Sequence, residues 1–126
     1  MNQIRKKIIE NYIEAYNQFD IDAMLDNLDE NVVFQNVSFG QMDLQTNGIQ
    51  EFKHQAEEAK RLFSERTQTI TSWTIKKDQI TVGINYIGIL AVDIPQRASV
   101  GDTLELNGKS EFQFEGDKIV SIKDIS

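Results

Sequence analysis

The sequence predicts an α+β protein, with helices packed on one face of an antiparallel sheet. Three observations carry that expectation. Apolar residues recur at helical spacing through the first quarter of the chain, and again from Ile49 to Phe63. From Thr67 to the last residues the pattern changes to β-branched and aromatic runs separated by short turns. Helices grouped ahead of strands, rather than alternating with them, place the helices in one layer and the sheet in another.

Taken in order, Ile4, Ile8, Tyr12, Ala15, Tyr16 and Phe19 form a helical stripe, widened by Ile9 and Ile13, and predict a first helix ending near Gln18. Asp20 is a good N-cap for a second, shorter helix carrying Ile21, Met24, Leu25 and Leu28, with Asp22 in its first turn. Val32 to Val37 is β-branched and aromatic and reads as a strand, whereas residues 38–48 are turn-rich and polar and read as a loop. Ile49, Phe52, Ala56, Ala59 and Phe63 predict a long helix reaching about Glu65, with Glu65 and Arg66 as its C-terminal cap or an ion pair. Strands are expected over Thr67–Lys76, Ile80–Val92, Thr103–Phe114 and Lys118–Ile125, with hairpin turns at Lys77-Asp78 and Glu115-Gly116-Asp117. The segment Ile94–Asp102 holds the only proline, Pro95, and is the one longer connection in the sheet.

Strand faces follow from alternation. Leu104, Leu106, Gly108, Ser110, Phe112 and Phe114 share one face, and polar residues take the other. In the strand before it, Ile84, Tyr86, Leu90 and Val92 occupy one face, yet Ile87, Ile89 and Ala91 occupy the other. A strand apolar on both sides is covered on both sides. With one helical layer available, the expected cover is a second copy, so a homodimer through the outer sheet face is predicted. Trp73 and Ile75, on a face otherwise holding Thr69 and Thr71, are assigned to the same interface.

A length of 126 residues with 40% hydrophobic content fits a single domain, 1–126. Thirteen basic against 20 acidic residues give a net charge of −7, which argues against nucleic acid and anionic membranes as partners. The one basic cluster, Arg5-Lys6-Lys7, reads as a solvated helix face. The absence of cysteine excludes disulfides and thiolate chemistry, and the single histidine, His54, falls off its helix's apolar stripe. No cofactor motif and no metal site are predicted. With no membrane-length apolar run and no signal-peptide core, the expected location is cytoplasmic.

Three stretches carry a resemblance: the opening NYIEAYNQFDIDAMLDNLDENVVFQN, the helix end AKRLFSERTQTI, and the closing LNGKSEFQFEGDKIVSIKDIS. Together the layout resembles the nuclear transport factor 2-like superfamily, most closely its SnoaL-like and ketosteroid-isomerase-like branch. The resemblance implies a cone-shaped, cystatin-like fold: a curved antiparallel sheet wrapped around about three helices, with a pocket at the open end and frequent dimers. Ketosteroid isomerases of the superfamily use a helix tyrosine, an oxyanion-binding protonated aspartate and an aspartate base. Carried onto this sequence, those positions fall on Tyr12, Ser110 and Asn36. Only the tyrosine is kept, so that isomerase mechanism is not expected.

The inward polar residues then define the candidate site. Tyr12, Tyr16, Phe34, Asn36, Tyr86 and Ser110 are expected to line a mainly apolar cavity that binds a small, apolar, oxygen-bearing ligand. The alternative is an isomerase, cyclase or dehydratase of the same fold, with Tyr12 polarising a carbonyl and Asp93 moving the proton. A third reading is a dimeric interaction module with a filled core. For the tyrosines plain packing competes with pocket lining. For Asn36 and Ser110 a structural hydrogen bond does, and for Asp93 a loop cap.

Overall fold

The computed structural model describes residues 2–126. The first helix, α1, spans Asn2–Asn17, and the short α2 spans Ile21–Met24. Between them Phe19 takes φ 59°, and its N–H and that of Asp20 bond back to the Tyr16 and Ala15 carbonyls. That left-handed closure satisfies the orphan carbonyls at the end of α1. Asp20 caps α2 as expected, its carboxylate accepting the Ala23 N–H at 3.1 Å.

Two strands follow, β1 (Leu28–Ser38) and β2 (Gln41–Asn47), joined through Phe39 and Gly40 at positive φ. The stretch expected as a loop is therefore a hairpin arm. Its polar residues belong to an edge strand paired on one side only, where Gln45 and Asn47 can face water. Helix α3 (Ile49–Lys60) ends before Phe63, which instead opens β3 (Phe63–Lys76) opposite Leu90. The Phe63 side chain continued the helical spacing by coincidence; its ring packs edge-on against Tyr86 at 5.7 Å. Glu65 and Arg66 accordingly lie in a strand and do not cap a helix.

The last three strands are β4 (Gln79–Leu90), β5 (Thr103–Glu115) and β6 (Lys118–Ile125). All six strands form one curved sheet in the order β2-β1-β6-β5-β4-β3. It is not wholly antiparallel: β6 runs parallel to β1, because the chain returns from the far edge to close beside its first strand. The apolar sides of all three helices pack on one face, around Ile9, Val32, Ile80, Val82, Phe112 and Ile122.

Two irregularities reset side-chain direction. In β3 the register shifts between Ile70 and Ser72, so Trp73 falls opposite Val82 and Ile70 opposite Ile84, both inward. Trp73 thus packs on the core, under the Lys6 ammonium 4.7 Å from its ring centre, and not on the outer face. In β6 a shift beside Gln113 and Phe114 places Ile122 opposite Phe112 and Asp124 opposite Ser110.

Arg5 is also not solvated. It is buried at the closed end of the sheet, where Nε donates to the Gly116 carbonyl at 3.0 Å and Nη1 pairs with Asp78 at 3.1 Å. It ties together the two hairpin turns that the sheet presents to the start of α1, with its guanidinium 5.1 Å from the Phe114 ring centre. Among the described residues no helix is long and apolar enough to cross a membrane.

Candidate functional site

Between the helices and the sheet lies a cavity of about 630 Å³. On the helix side small residues of α3, Ala56 and Ala59, line it and leave the space open. Exposed Leu62, Leu104 and Leu106 lie at its rim. All six residues expected around a cavity line this one.

Each is held differently. Tyr12 is buried, its ring edge-on to Phe112 at 5.7 Å and tilted to Phe52 at 6.4 Å. Burial raises its pKa well above the usual tyrosine value, and the negative charge of Asp124 adds to that, so the hydroxyl stays protonated and can donate. Tyr16 and Tyr86 share a hydrogen bond of 2.9 Å across the cavity, from α1 to β4, and burial raises both. Phe34 stands edge-on to Phe52 at 5.7 Å. The Asn36 amide is already engaged: Nδ2 donates to Asp43 at 2.9 Å and to Ser38 at 3.2 Å, which holds the β1–β2 hairpin beside the mouth.

Ser110 leads to the residue that sequence reasoning missed. Its hydroxyl donates to the Asp124 carboxylate at 2.6 Å. Asp124 lines the cavity, and burial in this mainly apolar space raises its pKa from 3.8 to about 6, an effect the Ser110 hydrogen bond partly offsets. The cavity therefore holds a carboxylate on β6, one strand over from Ser110, where the isomerase resemblance left only a serine. Beside it, a Cβ at Gly108 would meet the Ile125 carbonyl, so the glycine lets the C-terminal strand approach.

Asp93 is outside the cavity. It sits on the exposed connection after β4 and accepts the Val100 N–H at 2.9 Å. It caps that loop and does not line the cavity, so the proton-moving role expected of it has no place there.

Arg66 enters the site unforeseen. It is 3% exposed, lines the cavity, and donates from Nε to the Tyr16 carbonyl at 2.9 Å. Its guanidinium lies 3.6 Å from the Tyr16 ring centre and 4.5 Å from that of Phe19. The left-handed turn at Phe19 is what brings the second ring beneath it. Nearby, the Asn17 side chain bonds the Gln68 backbone in both directions, at 3.1 and 2.7 Å, and locks the end of α1 to β3.

The polar groups thus form a track. Asp124 and Ser110 lie at one end, Tyr12 next, then the Tyr16–Tyr86 pair, and Arg66 at the other end. Arg66 is level with Gly88 and, through it, Leu104, six residues along β5 from Ser110. At about 3.3 Å per residue that is roughly 20 Å of strand. Among the described residues no three histidine, cysteine or acidic side chains cluster as a metal site.

A family model for the SnoaL-like domain matches residues 9–122. Curated proteins give no match. Among solved structures, one similar protein, provisionally named a polyketide cyclase, comes from Xanthomonas campestris pv. campestris. It is 20% identical over 98% of this chain and 90% of its own, with a TM-score of 0.83. A protein of ketosteroid isomerase-like fold from Catenulispora acidiphila, in complex with trimethylamine, is 14% identical over 93% of this chain and 82% of its own, at TM-score 0.75. TerC, co-crystallised with polyporic acid, is 15% identical over 97% and 90%, also at 0.75. At these identities the likeness to solved structures is one of fold.

Proposed function

The chain belongs to the SnoaL-like domain family, and within it we propose that the cavity binds a small, mainly apolar ring compound bearing oxygen and moves a proton on it. The observation that carries this reading is the Asp124 carboxyl. A carboxyl with a pKa of about 6 is part ionised near neutrality, so it can take a proton and return it. Tyr12 supplies the complement. Its hydroxyl is the protonated donor nearest Asp124 along the track, suited to a carbonyl oxygen that becomes an enolate as the adjacent carbon loses its proton to Asp124. The Asp124 acid then delivers that proton to another carbon or oxygen, the shared step of isomerase, cyclase and dehydratase chemistry. Ser110 positions the carboxyl, and Phe34, Phe52 and the tyrosine rings supply the apolar walls. Complexes of similarly folded proteins with trimethylamine and with polyporic acid support a ligand-holding cavity. An open volume of about 630 Å³ weighs against the filled-core interaction module.

The test is hydrogen–deuterium exchange at the α-carbon of 2-tetralone, a flat ketone, followed by NMR in heavy water. Asp124→Asn should lower the protein-catalysed rate by about a hundredfold or more while tetralone binding persists. Wild-type exchange no faster than that of Asp124→Asn would remove the proton-transfer reading.

A homodimer is part of the same proposal. Ile87 is 40% exposed on the outer sheet face, with Ile89 partly exposed two residues on, and a second copy would cover them.

A further inference from the structure

The structure holds two buried arginines, and they differ in one respect. Arg5 has an acidic partner, Asp78, and a backbone acceptor, Gly116, so its charge is answered within the protein. Arg66 has no acidic partner, and the groups that answer it within the protein, the carbonyl and side chain of Tyr16, are neutral. The ion pairs of the described residues are Arg5–Asp78, Lys53–Asp22 and Arg61–Glu58, and none involves Arg66. Its Nε donates to the Tyr16 carbonyl, and Nη2 is buried with no hydrogen-bond partner. Its neighbour Glu65 is on the opposite face of β3, level with Ile89. The carboxylates along the cavity are engaged elsewhere, Asp43 by Asn36 and Asp124 by Ser110.

A guanidinium cannot shed its charge, and a charge buried without a counterion is costly. The rings of Tyr16 and Phe19 offset part of that cost and hold the group in place, but neither ring carries a counter-charge and Nη2 still has no hydrogen-bond partner. The cavity is therefore electrostatically incomplete at this end.

We propose that the ligand is a cyclic monoanion, in its simplest form an aryl or fused-ring carboxylate, whose anionic oxygens seat against Arg66. This rests on the cavity being a ligand site. It sets the orientation of that ligand: the anionic group at Arg66, the apolar ring between the tyrosines, and the reacting carbonyl toward Tyr12 and Asp124. Separation along the track keeps the ligand's charge away from the acid that must take a proton.

The test compares 2-naphthoate with 2-naphthamide, nearly equal in shape and differing in charge, by calorimetric titration into the full chain at neutral pH and low salt. Naphthoate should bind about tenfold or more tightly than the amide, the worth of one charge-assisted hydrogen bond. In Arg66→Gln the two should bind alike. Lys109, the other cation along the cavity, is the control: the preference should survive Lys109→Gln, and its loss there would overturn the assignment to Arg66. That arm decides even if Arg66→Gln does not fold. Equal binding of both probes by the wild type overturns the anionic ligand but leaves the cavity reading standing. Binding of neither overturns both.

Discussion

Replacing Asp124 by Asn isolates the energetic cost of keeping an ionisable acid in the cavity. Asn keeps an oxygen for the Ser110 hydroxyl and almost the same volume, but it cannot ionise. In the folded wild type the carboxyl titrates at about 6, against 3.8 for an ordinary carboxyl. The folded state thus holds this proton more tightly than the unfolded chain does. Stability from this group is fully present below about 3.8 and is lost as pH rises through about 6. The gap corresponds to about 3 kcal/mol at most, since part of the residue remains exposed and screened. Urea unfolding of both proteins, followed by circular dichroism from about pH 4 to about pH 8, measures it. The two should be nearly equally stable at the acid end, and the variant should gain steadily up to a plateau near pH 7. Taking the difference removes the other titrating groups, which the substitution does not touch. A gap that stays flat with pH would show that Asp124 ionises as freely as a surface carboxylate. A gap of opposite slope would show that a partner holds it charged. Either result would also remove the basis for its role as acid and base.

Two further outcomes follow from the packing. Gly108→Ala should destabilise the fold by about 1–3 kcal/mol in thermal unfolding, because the new methyl meets the Ile125 carbonyl in a strand end fixed by the Ser126 N–H bond to Val37 at 2.9 Å; an unchanged melting temperature would show that this strand end can move aside. Ile87→Lys should convert the proposed dimer to monomer in light scattering at micromolar concentration, and a wild type that is already monomeric would dispose of the outer-face interface.

The layering was legible because its signals are local and redundant. The stripe on α1, the Asp20 cap and the alternation of β5 each survive small errors in their boundaries. Ser110 and Tyr86 could be placed on the inner face because β4 and β5 pair without a register shift between them. The errors gather where the alternation is broken. A two-residue turn at Gly116-Asp117 pairs Glu115 with Lys118 and, extended without interruption, would set Lys123 opposite Ser110 and turn Asp124 outward. The shift near Phe114 adds one residue to β6 and reverses that. The same device in β3 carried Trp73 from the expected outer face to the core. Both cases share a trace in the sequence. Ile70 and Trp73, like Ile119 and Ile122, are large apolar residues three apart within one strand. An odd interval cannot bury both on one face of a regular strand, so where both pack inward, as in these two pairs, an extra residue lies between them. Beyond that point every inward position moves by one. In β6 the first polar residue to inherit an inward position is Asp124, which is how a strand ending that looks like plain alternation comes to supply the cavity with its acid.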